Sequence, residues 1–259
     1  MLLLIKVHFF KEKMFQNLED SSLYKIVSFA GLILLGFNFY NYWNTSQFPV
    51  HEFHSGLRSF FLALELSSDY DQITNIVGRV GDENLSKNLA LVLQILELDF
   101  LYIFIYSIYL LGIFEIASKL SSSSNIIRGV FYLLLIVIIV LDSAQNLILS
   151  EILNSNLSNP RIELIYYLPR ITIFLWILIF INLGISGILL WMGTTDLHIR
   201  IISLFLFLPQ IFSLFSLWGR INLLEVALEI ALPGLVGFFI HSVWKMVTNF
   251  FYKTSATIF

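Results

Sequence analysis

Apolar residues along the chain gather into six long runs separated by short polar segments. Three of them, Ile26–Val50, Ile171–Thr195 and Ile201–Gly219, contain no Asp, Glu, Lys or Arg. Each is long enough for a helix to cross a hydrocarbon layer about 30 Å thick. The other three, roughly Asn88–Glu115, Gly129–Leu153 and Asn222–Trp244, reach that length only if carboxylates are accepted inside them. None alternates apolar and polar residues in the way a barrel strand does, and an open sheet would leave unsatisfied edges in lipid. The pattern predicts an all-α, polytopic transmembrane bundle of about six spans.

The connections carry a different periodicity. Between about Asn44 and Lys87, Leu57, Phe60, Phe61 and Leu64 recur at helical spacing, and Ile73, Ile76, Val77 and Val80 repeat it. Both sets mark amphipathic helices, read as surface-lying caps on the bundle or, alternatively, as a small soluble subdomain. Residues 1–23 form a cytoplasmic segment, in which Leu2, Ile5 and Phe9 beside Lys6, Lys11 and Lys13 suit a short interfacial helix. A frayed tail is the alternative. Pro209 and Pro233 are expected to kink the fifth and sixth spans and free backbone carbonyls.

Composition narrows the class. The chain has 259 residues, 58% hydrophobic and only 13% charged, which excludes an ordinary soluble domain and a disordered chain alike. A net charge of −3 gives no basic footprint for nucleic acid. With no cysteine, disulfides, thiolate nucleophiles and cysteine metal sites are excluded together. Nine basic residues flank the spans on one side against six on the other, which favours both termini in the cytoplasm of a bacterial inner membrane.

The acids then change the picture. Glu97 and Asp99 fall in the second span, Asp142 in the third, and Glu225 and Glu229 in the sixth, with no Lys or Arg inside any of these runs. A carboxylate near mid-bilayer costs roughly 2.5–3.5 kcal/mol on insertion scales unless it is protonated, paired or wetted. The second and third spans form a hairpin about Ser121–Asn125, with Asp99 23 residues before Ser122 and Asp142 20 after it. Their depths should differ by only about 4–5 Å, in the outer half of the bundle. Asp99, Tyr102, Tyr106 and Tyr109 share one helix face, and Asp142, Gln145 and Asn146 share another. If these faces meet, phenol and amide groups bond two carboxyls, which as neighbours of like charge should share a proton. Glu97 lies about 200° around the helix from Asp99 and cannot point into the same place.

Several readings follow. The polar set is the lining of a pocket for a cation, a proton or a lipid headgroup, in a binding or transport-type component. Alternatively it is an interhelical clamp in a structural or accessory subunit of a membrane complex. A subunit interface with a cationic partner and a membrane-embedded acid/base enzyme are further alternatives. Glu225 and Glu229 read either as an interfacial pair near Arg220 or as part of the site. The expected partners are the lipid bilayer and membrane-complex subunits, with no nucleic acid. His51 and His54 beside Glu52 are too few for a convincing metal site. His241 reads as an interfacial or core histidine. Without an H-E-x-x-H, G-x-S-x-G, P-loop or dinucleotide fingerprint, no cofactor is expected.

The string Ala63-Leu64-Glu65-Leu66-Ser67, followed by Leu98-Asp99-Phe100-Leu101-Tyr102 with Tyr106, and then Asp142-Ser143-Ala144-Gln145-Asn146, resembles a loose family of uncharacterised bacterial multi-pass proteins. These pair an E-L-A-type loop segment and a D-F-L-F-x-x-x-Y helix with a later D-x-x-E-N helix. The resemblance adds Glu65 to the candidate site and puts Gln145 where the family carries a glutamate. It also implies a four-helix membrane core over residues 24–191, with two added helices and a short tail over 192–259. It implies no activity.

Overall fold

Polar caps and glycines set where the helices begin and end, and apolar length sets what they span. The computed structural model describes residues 20–46, 53, 56–79, 81–155 and 162–256. The amino-terminal segment, His51, Glu52, His54 and Val80 lie outside the described residues. Helix α1 is Asp20–Thr45, and two short helices, α2 (Phe60–Glu65) and α3 (Tyr70–Val77), follow in the long loop. The chain continues through α4 (Leu85–Ser121), α5 (Asn125–Asn154), α6 (Ile162–Gly193), α7 (Leu197–Phe207), α8 (Pro209–Phe215) and α9 (Asn222–Ala256). Six of these segments, with α7 and α8 counted as one, are long and apolar enough to cross a bilayer. The chain is an all-helical, multi-pass membrane protein.

Both loop helices stand where the amphipathic spacing puts them, because each has an acceptor at its start. Ser59 Oγ accepts from Leu62 N at 3.4 Å, and Asp69 Oδ1 accepts from Gln72 N at 2.9 Å. Leu57, Phe60, Leu62, Leu64, Ile73 and Val77 are buried, so these helices pack into the main core. At the far end of the bundle the α4–α5 hairpin turns through Ser122, whose φ of 52° ends α4. Pro209 has no N–H for the Phe205 carbonyl, and the fifth span is interrupted at Leu208. Pro233, by contrast, sits inside a continuous α9.

The fourth span departs from the expected start at Ile171. Helix α6 begins at Ile162 and carries Pro169 within it. Ile165 and Leu168 are almost fully buried, and this apolar packing sustains the helix across a proline that the charge pattern made look like a boundary.

Packing arranges the spans as a ring. Helix α1 packs on α4, α4 on α6, α6 on α7 and α8, and these on α9, which returns to α1. Helix α5 lies outside the ring against α4 and α6. At Gly187 the α6–α7 contact is backbone to backbone: an added Cβ would stand 2.7 Å from the Ser203 carbonyl oxygen. Such small-residue contacts let helices associate in lipid, where apolar burial alone gives little drive. Large apolar side chains such as Phe39, Phe104, Leu133, Val140 and Met192 cover the outside. Exposed Trp43 and Trp218 lie toward the end carrying the loop helices, and Trp191 and Trp244 toward the other, as in the aromatic belts of membrane proteins.

Candidate functional site

The ring encloses a cavity of about 410 Å³ between α1, α4, α6 and α9. Its volume falls in the range of about 300–1,000 Å³ typical of small-molecule sites. At the loop end the walls are polar: Asp99, Tyr102 and Tyr106 from α4, Asp142 and Gln145 from α5, and Glu65 from α2. Glu229 of α9 and Asn38 of α1 complete that end. Deeper in, the lining becomes Leu110, Ile179, Phe180, Leu183, Leu235 and Phe239. No Lys, Arg or His is among the described residues that line it.

The two acid-bearing faces of α4 and α5 meet in a specific register. Asn146 Nδ2 donates to Asp99 Oδ2 at 2.6 Å, and Tyr106 OH donates to Asp142 Oδ2 at 2.6 Å. Asp99 is therefore level with Asn146, one turn beyond Asp142 on α5. Each carboxyl has its own neutral donor instead of a direct hydrogen bond to the other. Tyr102 lies beside Tyr106, with ring centroids 5.8 Å apart and the planes tilted by 57°. Tyr109 turns to the opposite wall, where its hydroxyl donates to the Leu235 carbonyl of α9 at 2.6 Å.

Glu65 enters from outside the spans. Glu225 Oε1 accepts from Ser59 N at 2.6 Å and from Arg58 N at 3.0 Å, fixing the start of α2 to α9. Thr172 Oγ1 donates to the Glu65 carbonyl at 3.1 Å, fixing its end to α6. So held, the Glu65 carboxyl lies over the cavity, and burial, then the charges of Asp142 and Asp99, raise its pKa from 4.5 to about 8. The Gln145 amide and the Trp176 indole are near enough to oppose that rise. Even so, Trp176 Nε1 makes no hydrogen bond of normal geometry, and neither does Gln145 Oε1. Gln145 is only 1% exposed, so an acceptor on a residue beside the cavity is buried and unpartnered. Buried polar atoms of this kind are uncommon and call for an account.

Of the other acids, Glu97 is exposed on α4 and does not line the cavity, as its helical phase predicts. Glu225 and Glu229 divide their tasks: the first holds α2 through backbone N–H groups, and the second lines the cavity mouth. His241 is buried near the opposite end, its ring 5.9 Å from Tyr24 and 5.3 Å from His198. Trp176 and Asn38 line the site without having been singled out in the sequence. Trp176 lies in a charge-free run with no signal of which face turns inward. Among the described residues, Glu65, Asp99 and Asp142 do not form a group of the kind that holds a metal ion. What the arrangement can do is accept hydrogen bonds from, and balance the charge of, a cationic or donor-rich group. Comparison with protein-family models, with curated proteins and with solved structures finds no match to this chain.

Proposed function

We propose that this protein is a binding or transport-type membrane component whose acidic cavity takes a cation, a proton or the polar head of a lipid. One observation carries the reading: four carboxyls, Glu65, Asp99, Asp142 and Glu229, from four separate elements line one cavity that has no basic residue on its walls, among the described residues. A carboxylate in that setting is costly unless a cationic or donor-bearing occupant offsets it. Gln145 Oε1 adds an acceptor with nothing yet to accept. The excess of basic residues beside the opposite loops supports an outward-facing cavity in an inner membrane with both termini cytoplasmic.

A clamp reading has its own support in the Asn146–Asp99 and Tyr106–Asp142 hydrogen bonds, which tie α4 to α5. It would make the protein a structural or accessory subunit. Carbodiimide labelling of the purified chain in the presence of excess tetramethylammonium, which has no N–H to trap an activated carboxyl, separates the two. Under the binding reading tetramethylammonium protects Glu65, and Asp99→Asn and Asp142→Asn fold normally but lose that protection. Collapse of thermal stability in both variants, with no protection in the parent, would establish the clamp.

A further inference from the structure

We infer that the occupant is a single-chain amphiphile with a protonated amine head and an apolar body, admitted from the bilayer through a gap between α1 and α9. This rests on the acidic-cavity reading and specifies the class of ligand and its route.

The shape of the cavity gives the class. Glu65, Asp99, Asp142 and Gln145 occupy one end, and the space continues past them along Leu110, Phe180, Leu183 and Leu235. A bare inorganic ion would use only the first part, and the described acids are not grouped as metal ligands. An anionic head, whether phosphate, sulfate or carboxylate, would be buried without a basic partner beside like charges. A neutral apolar molecule would leave Gln145 Oε1 without a donor and the carboxyls without a balancing charge. An amine head meets the acceptors, and an alkyl body fills the remainder.

The route follows from residues that line the cavity and are also exposed. These are Leu35 and Asn38 on α1, and Leu232 and Glu229 on α9, with Leu35 39% and Leu232 54% exposed. Helix α1 runs toward the loop end and α9 away from it, so Asn38 stands level with Glu229, and Leu35 with Leu232. Nearer the opposite end the two helices close together. Gly31 lies against the Phe239 ring, where an added Cβ would come within 2.5 Å of Cδ2, and Tyr24 meets His241. The gap is therefore lateral, apolar below and polar above, and it opens where the spans face lipid. Pro233 adjoins it and cannot donate to the Glu229 carbonyl, which leaves α9 one backbone bond short at the mouth.

The test uses the full chain in lipid nanodiscs and a dodecylamine carrying a terminal diazirine. Photolabelling is expected on the deep wall, at Phe180, Leu183 or Leu235. Dodecylamine should compete, whereas dodecanol, dodecyl sulfate and methylammonium at equal concentration should not. Glu65→Gln and Asp142→Asn, each checked for a single cooperative thermal transition, should weaken that competition at least about tenfold, as expected when one partner of a buried charge pair is lost. Leu232→Cys, the only cysteine in that variant, should label several-fold more slowly once plugged with benzyl methanethiosulfonate and recover on reduction. If methylammonium competes as well as dodecylamine and the plug has no effect, the amphiphile and its route are overturned while the cation site stands. If dodecanol competes equally, or labelling falls outside the cavity, the acidic-cavity reading fails with it.

Discussion

Glu225 Oε1 lies 2.6 Å from the backbone nitrogen of Ser59, a residue 166 positions earlier in the chain. That contact, with a second from Arg58 N, fastens the loop helix bearing Glu65 to the last span. Carboxylate-to-backbone bonds are charge-assisted and worth about 1.5–3 kcal/mol when well shielded. Glu225 is only partly buried, so Glu225→Ala is expected to cost about 1 kcal/mol, read as a lower thermal transition in detergent. Its second effect is more diagnostic. Release of α2 should expose Glu65 and return its reactivity toward carbodiimide to that of an ordinary surface carboxyl. Unchanged Glu65 reactivity would show that Thr172 alone holds the helix.

The α4–α5 register makes a prediction about asymmetry. Asn146→Leu removes the donor from Asp99 and leaves a half-buried carboxyl unpaired, a loss of about 1 kcal/mol. Adding Asp99→Leu to that variant should restore much of the loss, because both polar partners are then gone. A double-mutant cycle read by thermal unfolding in detergent measures the coupling. Strictly additive effects would mean that the pair contributes nothing as a pair.

How far the sequence leads here depends on the physical signal each residue carries. Length and absence of charge suffice for the six spans, since lipid leaves the backbone few alternatives. Helical phase suffices to bring Asp99 and Tyr106 opposite Asp142 and Asn146, because a short hairpin constrains register. Glu65 carries no such signal. It sits in a polar loop, and its position over the cavity depends on Glu225 and Thr172, distant in sequence. The apolar wall from α6 and α9 is unreadable for a related reason. Ile171–Thr195 carries no charge and few polar residues, so its apolar periodicity is too weak to tell the lipid side from the cavity side.

Close backbone approach at Gly187 carries a third prediction. An added methyl would stand 2.7 Å from Ser203 O and 3.0 Å from Phe207 N, and backbone atoms cannot swing aside. Gly187→Ala should therefore force α6 and α7 apart and cost about 1–3 kcal/mol, in the range of overpacked cores. Gly129→Ala is the control, because a Cβ there meets nothing within 4 Å. It should leave the transition unchanged or raise it slightly, alanine being the better helix former. Equal transitions for the two variants would argue against the tight α6–α7 contact.

The pH dependence of stability supplies the last test. Glu65 has its pKa raised from 4.5 to about 8, chiefly by burial and secondarily by Asp142 and Asp99. Between these values the folded protein holds a proton that the unfolded chain has released, so the folded state binds more protons and its stability falls as pH rises. The stabilising contribution is complete below about pH 4.5, declines through neutrality and is gone above about pH 8. Glu65→Gln keeps the shape of the side chain and cannot ionise, so it should flatten this part of the profile while matching the parent at low pH. Binding should run the opposite way. A cationic probe such as dodecylamine favours the ionised carboxylate, so its affinity should strengthen as pH rises toward 8 and hold there while the amine stays protonated. Thermal transitions and dodecylamine titrations on the same preparations should therefore show opposite slopes over this interval in the parent, and neither slope in Glu65→Gln. Parallel slopes would separate the proton on Glu65 from occupancy of the cavity.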